Sequence, residues 1–237
     1  GHGQTATPIV TQSNWINAAP VQSRLVVGSD GQTYVGIWID TPQAAAQGQR
    51  APLDLALVID NSGSMSGEKI ANARMAATSM LESLAQGDIV SVYTFSNDVT
   101  EIAPPTVVSQ QTRGELIQRV SAIQPMGGTN MFDGLRVGEA RLAEAPGSHP
   151  VRRLVLISDG MANIGPSSPE ELGNLAANGT ESGVQVSAIG VGLEYDERTL
   201  GSLAVRSSGR LYHLQEPSQM ASILREELQL LGQTVAT

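Results

Sequence analysis

Three short glycine-punctuated runs, far apart in the chain, carry the same kind of chemistry: Asp60-Asn61-Ser62-Gly63-Ser64-Met65, Gly127-Gly128-Thr129-Asn130 and Ser158-Asp159-Gly160. Together they offer the carboxylates of Asp60 and Asp159 and the hydroxyls of Ser62, Ser64 and Thr129. All are hard oxygen donors, which suit magnesium (Mg²⁺), Mn²⁺ or Ca²⁺ and suit Zn²⁺ or copper poorly. The glycines let a loop turn sharply and bring backbone close to an ion. Any one run also reads as an ordinary turn or helix cap, because Asp, Ser and Asn side chains bond nearby backbone. It is the recurrence in three loops, each next to a strand, that points to a cation.

Other chemistries fit less well. The chain has no Cys, which removes disulfides, thiolate zinc sites, iron–sulfur clusters and cysteine nucleophiles together. Its 14 Lys+Arg against 23 Asp+Glu give a formal net charge of −9, which argues against a phosphate-tracking surface and hence against nucleic acid as the main partner. Ser64, Asp159 and His213 follow the order of a hydrolase triad, but Gly63-Ser64-Met65-Ser66-Gly67 puts Met where a nucleophile elbow needs Ser. A metal-assisted hydrolase using the two Asp is a related alternative, although hydroxyl ligands fit recognition better. His213 lies between Tyr212 and Leu214 in a short strand and reads as a packing residue; His149, beside Pro150, reads as a loop residue. Gly190-Val191-Gly192 lacks a third glycine, and the phosphate-cradling Gly-x-x-x-x-Gly-Lys-Ser/Thr run is absent. No apolar run approaches the roughly 20 residues of a membrane helix.

The elements that must position the three loops follow from periodicity. Leu53–Ile59, Ile89–Phe95, Arg153–Ile157 and Val184–Val191 are short, nearly continuous apolar runs, as in strands buried on both faces. Between them come helical spacings: Ile70, Ala73, Ala77, Met80, Leu81 and Leu84; then Leu116, Ile117, Val120 and Ile123, with Thr112 and Glu115 as a capping box. Further helices are expected over Met131–Ala145, from Ser168-Pro169-Glu170-Glu171, over Glu197–Val205, and from Ser218 to Leu231. A short strand is expected at Leu211–Leu214. This alternation implies an α/β fold, a doubly wound, mostly parallel sheet with helices on both faces, and ligands in such sheets bind at the carboxyl ends of strands. Ahead of it, residues 1–22 read as a flexible tail or linker. Residues 23–52 read as a β-hairpin extension and loop packed on the main domain of residues 53–237, with Arg24–Gly28 facing Thr33–Asp40 across Asp30-Gly31. Asp54 reads as an edge contact, Asp133 as a first-turn helix charge, and Met65 and Met131 as packing beneath the site.

Asp60-Asn61-Ser62-Gly63-Ser64 is a D-x-S-x-S motif, and from Leu53 to Leu231 the chain resembles the von Willebrand factor type A (vWA) domain, in a bacterial flavour. The resemblance implies a Rossmann-like fold and a metal-ion-dependent adhesion site. Its ligand positions match Asp60, Ser62, Ser64, Thr129 and Asp159, so the metal site is complete. In that family the metal accepts a Glu or Asp side chain from a protein partner, which here implies a non-enzymatic binding or cell-adhesion module. An alternative is a scaffold or substrate-capturing subunit of an ATPase-linked assembly. The hairpin resembles lead-in strands of bacterial extracytoplasmic members, which favours a periplasmic, secreted or surface-anchored location over the cytoplasm. In the family the last helix can couple to the metal, and Met220–Leu231 is the corresponding segment here.

Overall fold

The computed structural model describes residues 16–20, 35–39, 50–216, 219, 220, 223, 226 and 227. The chain divides into two compact units, Gly1–Gln49 and Arg50–Thr237. In the first, β1 (Ile16–Pro20) pairs antiparallel with β2 (Val35–Ile39), Ile16 opposite Ile39 and Pro20 opposite Val35. The β2 strand falls where the alternation of Val35, Ile37 and Ile39 places it. Its partner comes instead from the segment expected as a tail, where Asn, Ala and Pro have low strand propensity and leave no periodic signal. Arg24–Gly28 lies outside the described residues.

The second unit begins at Arg50, whose guanidinium donates to Asp88 Oδ1 at 3.1 Å and Oδ2 at 2.5 Å. Its elements are β3 (Leu53–Asp60), α1 (Glu68–Ser83), β4 (Ile89–Phe95), β5 (Val99–Val107), α2 (Gln110–Ser121), α3 (Met131–Ala143), β6 (Val151–Ser158), α4 (Pro169–Gly179), β7 (Val184–Val191), α5 (Glu197–Arg206) and β8 (Leu211–Leu214). They form a six-stranded sheet in the order β5-β4-β3-β6-β7-β8, parallel throughout except for β5. The central strands bury both faces. Leu55, Leu57 and Ile59 of β3 join one core with α1 and α2, while Ala56 and Val58 join a second with α3, α4 and α5. Met65 and Met131, both fully buried, belong to one core each. The doubly wound, mostly parallel architecture is therefore the one the periodicity implies.

Three local expectations shift, at β5, α2 and Asp54. The β5 strand is additional: it contains Pro104-Pro105, which argues against a strand except at a sheet edge, where this one lies. Helix α2 starts three residues earlier than a Thr112 cap implies, because Ser109 is the cap and Thr112 the third helical residue that bonds back to it. Helix α3 is capped by Asn130, and Asp133 takes its expected place in the first turn. Asp54 is buried at the start of the central strand β3 and not at an edge. Burial pushes its carboxyl up to about 6 against the opposing pull of His149 and Arg152. Of the last helix, Met220, Ile223, Glu226 and Glu227 are helical; its other expected residues lie outside the described ones.

Candidate metal centre

The parallel strands β3 and β6 end side by side, with Ile59 opposite Ile157, so the next residues of both project from the same edge of the sheet. Asp60 is the last residue of β3 and is completely buried. Its Oδ1 accepts the Ser62 backbone N–H at 2.8 Å and its Oδ2 accepts the Ser158 hydroxyl at 2.6 Å. Ser158 Oγ in turn accepts the Gly160 N–H at 2.8 Å, so one serine ties the two strand ends together. After Asp60 the chain makes a single 3-10 turn, Gly63–Met65, and enters α1. That turn brings Ser64 back over Ser62, with their hydroxyl oxygens 3.0 Å apart.

The third run is stitched to the first by backbone. Gly63 N–H donates to Gly127 O at 3.0 Å and Met126 N–H donates to Asn61 O at 2.7 Å. Gly127 holds a φ of +63°, the left-handed region that favours glycine. Asn97 and Asn163 clamp the same loop, accepting the N–H groups of Gly128 at 2.7 Å and Thr129 at 2.9 Å. Thr129 O accepts from Asn163 and Ile164, so the loops after β6 and before α3 are also joined. Thr129 is buried, and the cap of α3 is the next residue, Asn130.

Asp159, just past β6, is completely buried too. Its Oδ1 accepts the Met161 N–H at 3.1 Å and its Oδ2 receives the Lys69 ammonium at 3.0 Å. Burial pushes the Asp60 carboxyl up to about 6, and the Asp159 charge adds to the rise, while Ser158 and Ser62 oppose it through hydrogen bonds. Asp60 has no ion-pair partner among the described residues.

The donor set fits a hard divalent cation. Adjacent ligands of an octahedral Mg²⁺ at 2.0–2.1 Å stand about 2.9 Å apart, close to the spacing of the two serine hydroxyls. Among the described residues no cluster of three or more His, Asp or Glu competes as a metal site. Concavities of about 460 Å³ beside Ala71, Arg74 and Ser121, and about 520 Å³ beside Arg152, Thr180 and Ser207, include none of the five oxygen-bearing residues. Nor does the triad order assemble a triad: Ser64 faces Ser62, Asp159 faces Lys69, and His213 packs edge-on against Tyr195 with ring centres 4.7 Å apart. Sequence reasoning missed Lys69, Ser158, Asn97 and Asn163. For Lys69 a signal existed, since a cation in the first turn of a helix opposes the macrodipole and needs a reason to be there.

Residues 54–226 match the von Willebrand factor type A domain. The human inter-alpha-trypsin inhibitor heavy chain H4 is 28% identical over 196 residues, 78% of this chain and 21% of that protein. This chain thus spans about a fifth of that relative's length. An aerotolerance-related membrane protein from Bacteroides fragilis superimposes with a TM-score of 0.64 at 17% identity, covering 75% of this chain and 99% of the other. The vWF domain of the type V pili tip protein Mfa5 from Porphyromonas gingivalis does so with 0.62 at 14% identity, covering 79% and 97%. With the sheet order, the paired strand ends and the match over most of its length, the chain belongs to the von Willebrand factor type A family.

Proposed function

We propose that this chain is a divalent-cation-dependent protein-binding module in which Asp60, Ser62, Ser64, Thr129 and Asp159 hold Mg²⁺, with Mn²⁺ or Ca²⁺ as substitutes. The observation that carries this reading is the 3.0 Å spacing of the Ser62 and Ser64 hydroxyls above a completely buried Asp60. Bound there, the cation supplies a positive coordination position for a Glu or Asp side chain of a protein partner. The chain's own residues do the rest. Neutral hydroxyls contribute oxygen without adding negative charge, so an acidic protein keeps a local attraction for an acidic side chain. Exposed apolar side chains stand in the loops at this end of the sheet: Met126, Met161 and Leu193 are 61%, 44% and 83% exposed. They favour a partner segment with apolar residues beside its carboxylate.

Among the described residues no helix is long and apolar enough to cross a membrane. The structural relatives include a membrane protein and a pilus tip protein, which supports an extracytoplasmic setting for a binding role. The test is thermal unfolding of the wild type and Asp60→Ala, each in EDTA and in excess Mg²⁺, Mn²⁺ or Ca²⁺. At about 100 times the dissociation constant the metal adds roughly 2.7 kcal/mol of stability in the wild type, and the gain is lost in the variant. No rise with any of the three ions in the wild type refutes the metal reading.

A further inference from the structure

Lys69 stands where a cation has little reason to be. It is the second residue of α1, close to the positive end of the helix, and its side chain is 31% exposed, yet its ammonium lies 3.0 Å from Oδ2 of the completely buried Asp159 carboxylate. Its stem crosses Gly192, where an added Cβ would lie 2.9 Å from Lys69 Cε; the loop after β7 therefore leaves a track for this side chain. Among the described residues it is the one cation within ion-pair distance of either site carboxylate. Without a metal the centre thus holds two carboxylates and one ammonium.

Resting on the metal reading above, we infer that Lys69 is a resident counter-ion which stands in for the metal at Asp159 and competes with it. Two opposed effects follow from one charge. In the metal-free protein the ammonium spares Asp159 the cost of an unpaired buried carboxylate, keeping the loop after β6 in place. When a divalent cation approaches, the same ammonium repels it and shares its ligand, so affinity falls below what the five oxygen donors alone would give. The lysine therefore weakens metal binding while preserving a preformed site, and it makes occupancy sensitive to the metal concentration around the protein.

Lys69→Met keeps the length of the stem and removes the charge; Lys69→Arg keeps the charge. Mn²⁺ affinity is measured by titration calorimetry and the unfolding midpoint is measured in EDTA. Lys69→Met is expected to bind Mn²⁺ about tenfold or more tightly than wild type, to unfold at a lower temperature in EDTA, and to recover that loss with saturating Mn²⁺. Lys69→Arg is expected to follow the wild type in both readouts. Lys69→Gln serves as the second uncharged variant if Lys69→Met does not fold. If the wild type binds Mn²⁺ and the uncharged variant binds it equally or more weakly, Lys69 is an ordinary structural ion pair and the inference falls alone. If neither binds, the metal reading falls and takes this one with it.

Discussion

Two buried polar clusters in this molecule are built from similar groups and differ in their balance of charge. Under the last helix, Glu227 meets Arg153 of β6 in an ion pair at 3.4 Å, accepts the Ser187 hydroxyl at 2.6 Å, and accepts the Tyr212 hydroxyl on its other oxygen. One positive charge faces one negative charge, and burial with the Glu227 carboxylate pushes the Tyr212 hydroxyl up, keeping it a donor. At the carboxyl ends of β3 and β6, by contrast, there are two buried carboxylates and one ammonium, which pairs with Asp159 alone, beneath an accessible Ser64. The first cluster is balanced in charge, although Arg153 Nε makes no hydrogen bond among the described residues. The second keeps an excess of negative charge next to hydroxyl oxygens, an arrangement that another cation would complete. Balance of charge, more than burial or residue type, separates the two.

Breaking the balanced cluster has the largest expected effect. Arg153→Met leaves Glu227 buried without its cation and is expected to cost about 3–5 kcal/mol in chemical denaturation. Mn²⁺ affinity at the other cluster should stay near the wild-type value. A large loss of metal binding would mean that the two clusters are coupled through the sheet. Glu139 of α3 sharpens the comparison from another side, because it is a buried carboxyl with no cation at all and with Oε1 unpartnered among the described residues. Burial pushes it up to about 8, so it keeps its proton at neutral pH, whereas the donors around Asp60 hold that carboxyl to about 6. A carboxyl raised by folding stabilises below its unfolded value and loses that contribution as pH rises through its folded one, here from about 4.5 to about 8. Glu139→Gln is therefore expected to gain on the wild type as pH rises from 6 to 8, by about 2–3 kcal/mol at pH 8, in parallel melts at each pH. A constant difference across that range would show that Glu139 is already ionised. The smallest effect belongs to neither cluster. Ser168→Ala removes the exposed cap of α4, whose hydroxyl accepts the Glu171 N–H at 3.1 Å, and should cost about 1 kcal/mol without changing metal response.

What could be read from the sequence divides along physical lines. Strands buried on both faces announce themselves as apolar runs, so β3, β4, β6 and β7 and the loops after β3 and β6 are legible without coordinates. The capping box of α4 is legible for the same reason, since Ser168, Pro169 and Glu171 act locally. The β5 strand is not, because its stability comes from pairing with β4 while its own Pro104-Pro105 denies a strand. Ser158 is invisible as a tie between strand ends until β3 and β6 are set side by side, 98 residues apart in sequence. Lys69 is 90 residues from Asp159, and only its awkward place in a helix hints at a partner.

The edge strand has one more consequence. Pro104 and Pro105 bring no N–H to the outer rim of the sheet, and the pairing with β4 shifts register between Val90 and Val92. At the far side β8 has only four residues. An incoming strand from another copy finds an interrupted row of donors on one rim and a short one on the other, which guards against edge-to-edge growth into fibres. The binding proposed at the loops is in this way kept apart from pairing through the sheet.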